Sequence, residues 1–145
     1  LLSGKADCAL IAEPAATAAI AKGKEAGKEL KVISDVQKEW GEGGFPMAAL
    51  FVRNDTYENN EAMIKGLIEK MQEYTSSVNT DDPAELIADI NECGIETFGV
   101  PSAEIIGKCW NRMNINIKNA ADCKDDVASF LELFGVSDIE AALIG

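Results

Sequence analysis

The 145-residue chain contains no histidine at all. That absence removes the side chain whose unperturbed pKa lies nearest neutrality, and with it any histidine-dependent triad or histidine general base. It also weakens the case for zinc. The four cysteines (Cys8, Cys93, Cys109, Cys123) are widely scattered, with no C-x-x-C pair among them, so no local arrangement holds two thiolates ready for a metal. No apolar run approaches the roughly 20 residues needed to cross a bilayer. No G-x-S-x-G elbow, P-loop lysine motif or G-x-G-x-x-G fingerprint is present, so the commonest nucleophile and nucleotide motifs are missing. Basic charge is scarce too: 13 Lys and Arg stand against 25 Asp and Glu, for a net charge of -12. A polyanion such as DNA or RNA would be repelled, and nucleic-acid binding is not expected.

What is present reads as one ordinary globular unit, 47% apolar and 26% charged. The acidity is uneven. Residues 1–43 are nearly balanced, whereas the later residues are strongly acidic, the pattern of solvated outer helix faces. Each cysteine sits where a small apolar residue would, so core packing is the first expectation. In an exported protein a disulfide among Cys93, Cys109 and Cys123 is the alternative, with the pairing left open.

The chain opens on Leu1, inside what reads as the connected middle parts of something larger. Asp7 to Ala12 (DCALIA) predicts a buried strand, Pro14 to Lys22 a helix ended by Gly23 and Gly27, and Leu30 to Val36 a second strand. Met47 to Arg53 (MAALFVR), apolar on both faces, predicts a third strand inside a covered sheet. Between the last two lies a loop, Gln37 to Pro46, carrying Trp40 and Phe45.

From Glu61 the apolar period lengthens to about 3.6 residues. Met63, Ile64, Leu67, Ile68, Met71, Tyr74 and Val78 make one stripe of a long helix. Asp82-Pro83-Ala84-Glu85 opens another that Gly94 stops, a third follows Pro101, and a fourth runs from Asn119 to Gly135. Asn114 to Ile117 reads as extended, and Ser137-Asp138-Ile139-Glu140 is a capping box for a last short helix. Strands alternating with helices imply parallel pairing and an α/β architecture. The expected fold is therefore three-layered, with a small, mainly parallel sheet and a helix-rich C-terminal half.

The segments "LLSGKADCALIAEPAAT", "KVISDVQKEWGE" and "PMAALFVRND", followed by the long helix, resemble the C-terminal half of the solute-binding proteins of ABC importers. The resemblance is greatest to the nitrate, sulfonate, taurine and thiamine-precursor type, which carries a similar L-x-x-G-x-x-D-x-x-x-x-x-E/D-P signature; Leu2, Gly4, Asp7, Glu13 and Pro14 match it. It covers essentially the whole chain but about half of such a protein. It implies a partial periplasmic-binding-protein-like lobe of type II, with residues 1–24 ending the second lobe and residues 25–145 completing the first. It also implies an extracytoplasmic binding protein, not an enzyme, that passes a small molecule to a permease and needs no cofactor.

Three sets of candidate ligand contacts follow. Glu13, Ala15, Ala16 and Thr17 stand at a strand-to-helix corner, where backbone N–H groups are free and where ligands of open α/β sheets gather. Trp40 and Phe45, in that loop, and Met47, at the start of the next strand, form a set able to wall a cleft and to stack on an aromatic or amine ligand. Arg112 and Asn114 belong to a turn between late helices, where surface exposure is the plainer expectation. Two rival functions are a pyrimidine-synthase-like enzyme of the same fold, which would need histidine, and a truncated self-associating domain. Uncovered apolar faces in a partial lobe make a homodimer the expected assembly.

Overall fold

The computed structural model describes residues 1–41, 43–100 and 102–136. The expected α/β fold is not what forms. Among the described residues every regular element is helical and there is no strand, so the parallel sheet and its layers are absent. The elements in order are α1 (Ala15–Glu25), α2 (Val36–Trp40), α3 (Asn54–Ser77), α4 (Ala84–Cys93), α5 (Ile95–Phe98), α6 (Ala103–Met113), a 3-10 turn (Ala120–Cys123) and α7 (Lys124–Glu132). The capping box at Ser137 lies outside the described residues.

The three predicted strands are ladderless coil, except that Val36, the last residue of the second, opens α2. Among the described residues, 5–11, 29–33 and 47–52 make no backbone hydrogen bond within the chain. Their large apolar side chains point to solvent: Leu10 is 88% and Phe51 76% exposed, and Ile33, Met47 and Leu50 are exposed as well. The physical reason is that a strand exists only as one side of a ladder. Apolar alternation prepares a segment for pairing, but the groups that accept and donate must come from another segment, and here none is in place.

The chain forms two compact units. In the first, made of Leu1–Asp35 and Val78–Ile115, α4 packs on α6. Leu86 and Ile90 from α4 meet Ala103 and Ile106 from α6, with Val78, Ile87, Ile95, Val100, Trp110 and Met113 around them. Burial of Leu86, Ile90 and Ile106 contributes about 1.5–3 kcal/mol each over the exposed state.

Helix α6 starts where Ser102, in extended conformation, accepts a hydrogen bond from the Ile105 N–H at 3.3 Å. It ends where Asn114 turns left-handed at φ 50° and its side chain donates to the Arg112 carbonyl. Gly107 permits the close approach of the two helices: a Cβ there would lie 3.0 Å from Ile87 Cδ1. In α1, Gly23 does not end the helix as expected. It sits inside it and leaves room for Leu30, while the Lys28 N–H bonds back to the Gly23 carbonyl.

The second unit, Val36–Ser77 with the chain from Asn116 onward, has a thinner core. Of the expected stripe on α3 only Ile64 is buried; Met63, Leu67, Met71 and Tyr74 remain exposed. Helix α3 also begins earlier than the periodicity implied, at Asn54, and is kinked at Asn60 (φ -139°). On its outer face Lys65 pairs with Glu61, and Lys70 with Glu73, exposed contacts that solvent screens strongly.

The burial pattern separates this helical arrangement from a sheet core. Ile106→Ala is expected to lower unfolding stability by about 2–5 kcal/mol, whereas Leu10→Ala is expected to change it by no more than about 0.5 kcal/mol. Urea denaturation followed by far-UV circular dichroism measures both. A Leu10 penalty as large as that of Ile106 would place Leu10 in a core.

Candidate functional site

The predicted residues separate into the two units. In the first, Glu13 is brought to Arg112, 99 residues away in sequence. The Arg112 Nε donates to Glu13 Oε1 at 2.8 Å. The other oxygen of Glu13 accepts the Thr17 backbone N–H at 3.0 Å, and Arg112 Nη2 donates to the Thr17 hydroxyl. Thr17 is buried and the Glu13 side chain is only 10% exposed.

This closed triangle leaves little for a ligand. The Ala16 N–H is taken by the Ala12 carbonyl and the Ala18 N–H by the Pro14 carbonyl, so the first-turn donors expected to face a solute are largely engaged within the chain. Ala15 is exposed and Ala16 half-buried. Glu13 and Arg112 act as a clasp between the start of α1 and the end of α6. Asn114 is exposed and serves as the left-handed cap of α6.

Burial of Glu13 by itself would raise its carboxyl pKa, but the hydrogen bonds from Arg112 and Thr17 outweigh that and hold it below the usual carboxylate range. Cys109 lies next to this clasp with no exposed surface, its thiol donating to the Ile106 carbonyl at 3.6 Å. Burial first, and the Glu13 carboxylate second, push that thiol up, so it stays protonated and unreactive. All four cysteines are free thiols, with no disulfide among them. Among the described residues no group of three or more His, Cys, Asp or Glu is placed to hold a metal ion.

In the second unit the loop aromatics find partners in α7 and the turn that follows it. Phe45 stacks on Phe130, with ring centroids 5.4 Å apart and planes 6° from parallel. Trp40 stands edge-on to both, at 5.6 Å from each centroid, and Phe134 leans on Phe130 at 5.3 Å. These offset and edge-to-face geometries suit the ring quadrupoles.

The loop is held by Gln37, whose side-chain amide donates to the Phe45 carbonyl at 3.1 Å and accepts the Phe45 N–H at 2.8 Å. Trp40 keeps 49% of its surface open and Phe134 more. The Lys118 ammonium comes within 3.6 Å of where a Gly43 Cβ would be. Met47 is exposed.

Arg112 and Phe130 were each visible in the sequence, but not as partners of Glu13 and Phe45. The available signals were thin: Arg112 is one of two arginines in the chain, and Phe130 and Phe134 are four apart. Comparison with protein-family models, with curated proteins and with solved structures finds no match.

Because the folded pKa of Glu13 is depressed, its stabilising contribution is fully present above the unfolded value of about 4.5 and is lost as pH falls through the folded value. The stability gap between wild type and Glu13→Gln is therefore expected to be constant from pH 8 to about pH 5 and to narrow below. Arg112→Ala, which strands the carboxylate, is expected to cost about 1–3 kcal/mol at pH 7. Denaturation curves across pH measure both, and a gap that widened on acidification would break the assignment.

Proposed function

We propose that this chain works as a small-molecule capture component of the ABC-importer type, outside the cytoplasm, and that its ligand docks on the aromatic shelf of Trp40, Phe45, Phe130 and Phe134. The observation that carries this reading is Trp40: a large ring fixed edge-on against two others, on a loop clamped at Phe45, with half its surface open. A rigid, exposed aromatic face favours a flat or cationic organic molecule, because stacking and cation–π contact lose little conformational entropy there. The resemblance of residues 1–17, 31–42 and 46–55 to importer solute-binding proteins supports the transport setting, and delivery to a permease follows from it. Capture and release need no bond chemistry, so no nucleophile or general base enters the reading. The Glu13 clasp is assigned to structure rather than to ligand contact, since its carboxylate and nearest donors already have partners.

Calorimetric titration with an aminopyrimidine and with benzylamine tests the shelf. Saturable binding with a dissociation constant on the order of 0.1–1 mM, lost in Trp40→Ala with circular dichroism unchanged, is the expected result. No saturable heat from either probe at that limit, or binding that survives Trp40→Ala, would overturn it.

A further inference from the structure

Between Pro46 and Arg53 the chain is held at both ends and open between them. At one end the Gln37 side chain bonds both backbone groups of Phe45. At the other, the Arg53 carbonyl accepts the Tyr57 N–H of α3, and the Arg53 guanidinium pairs with Asp55. Residues 47–52 make no backbone hydrogen bond within the chain, and Met47, Ala48, Ala49, Leu50 and Phe51 are exposed. The nine aromatic residues of the chain divide on this point. Trp40, Tyr57, Tyr74, Phe98, Trp110 and Phe130 lie in helices. Phe45 has both backbone groups bonded by Gln37, and the Phe134 N–H donates to the Leu131 carbonyl. Phe51 alone stands on backbone without a hydrogen-bond partner.

We propose that the Phe51–Val52 peptide bond is a processing site for an endopeptidase of the class that seats an aromatic side chain in an apolar specificity pocket. Such an enzyme holds its substrate as an added strand, through backbone N–H and C=O groups around the scissile bond. A helix must unwind and lose its own hydrogen bonds before it can offer those groups; residues 47–52 offer them in the folded chain. Phe51 supplies the exposed ring. Ala48, Ala49 and Leu50 before it are apolar and uncharged, so none opposes an apolar cleft, although the chain bears -12 overall. The step is a hydrolysis: water adds across the amide, leaving a carboxylate on Phe51 and an ammonium on Val52, and no other reactant is consumed. The cut does not release either piece. Residues 1–51 keep Glu13 on Arg112 and Phe45 on Phe130, both beyond the cut. The site is independent of the ligand assigned to the aromatic shelf.

Limited digestion of the full chain with chymotrypsin, read by intact mass, tests it. The expected first products are residues 1–51 and 52–145, formed together in a single cut, whereas the chain unfolded in urea is cut at several aromatics at once. Phe51→Ala, at an exposed position, should leave the circular dichroism unchanged and slow the first cut by about tenfold or more. The two products should elute together on size exclusion under native conditions. A first cut at any other bond, simultaneous cuts in the folded chain, or an unchanged rate in Phe51→Ala would overturn the site. So would a folded chain left intact under conditions that digest the unfolded one. Products that separate on size exclusion would overturn the cut without release.

Discussion

Helix α6 is the element on which the first unit depends. One face of it supplies half of the buried core, through Ala103 and Ile106, and places Cys109 in the interior. Gly107 sets the distance to α4, and from the last turn Arg112 reaches the start of α1. Without the glycine the helices would separate by the thickness of a side chain, and the core between them would loosen, because interiors this small tolerate little change in volume. The ion pair then closes what packing begins: it ties a segment near the N-terminus to a helix nearly one hundred residues later.

The second unit is organised differently. Its ordering comes from ring geometry and from one glutamine that borrows a backbone's hydrogen-bonding pattern, with Ile64 its one buried large aliphatic among the described residues. Aromatic pairs hold their angle well but exclude water less completely than an aliphatic core, which is why Trp40 is both fixed and half open. The proposed capture role would draw on that combination. A surface that is rigid before the ligand arrives spends less of the interaction on ordering itself.

Backbone accounting links the expectation of an α/β fold to the helical structure observed. Helices satisfy their N–H and C=O groups within a single segment, so α4 and α6 could be located from local signals: the proline and the glycine bracketing Ala84–Cys93, and the apolar side chains Ile105, Ile106, Cys109 and Trp110 on one face. Strands cannot be located that way. DCALIA, LKVISDV and MAALFVR have the composition of buried strands, and a short apolar run is legible as such, yet pairing is a property of two segments. The same holds for the sites. Trp40 and Phe45 stood out as loop aromatics, but Phe130 reads simply as a helix face, and Glu13 reads as a corner facing solute until Arg112 is seen beside it.

The amino-acid order by itself thus located α4 and α6, the proline and glycine that bracket α4, the acidic surface and the absence of histidine chemistry, because each of these rests on composition or on residues within a few positions of one another. The tertiary structure alone decided that the three apolar runs remain unpaired, that Glu13 is locked by an arginine 99 residues away, and that four rings from two distant segments share one shelf. Those outcomes depend on which distant groups meet, and a hydrogen bond or a ring contact has no energy until both partners are in place.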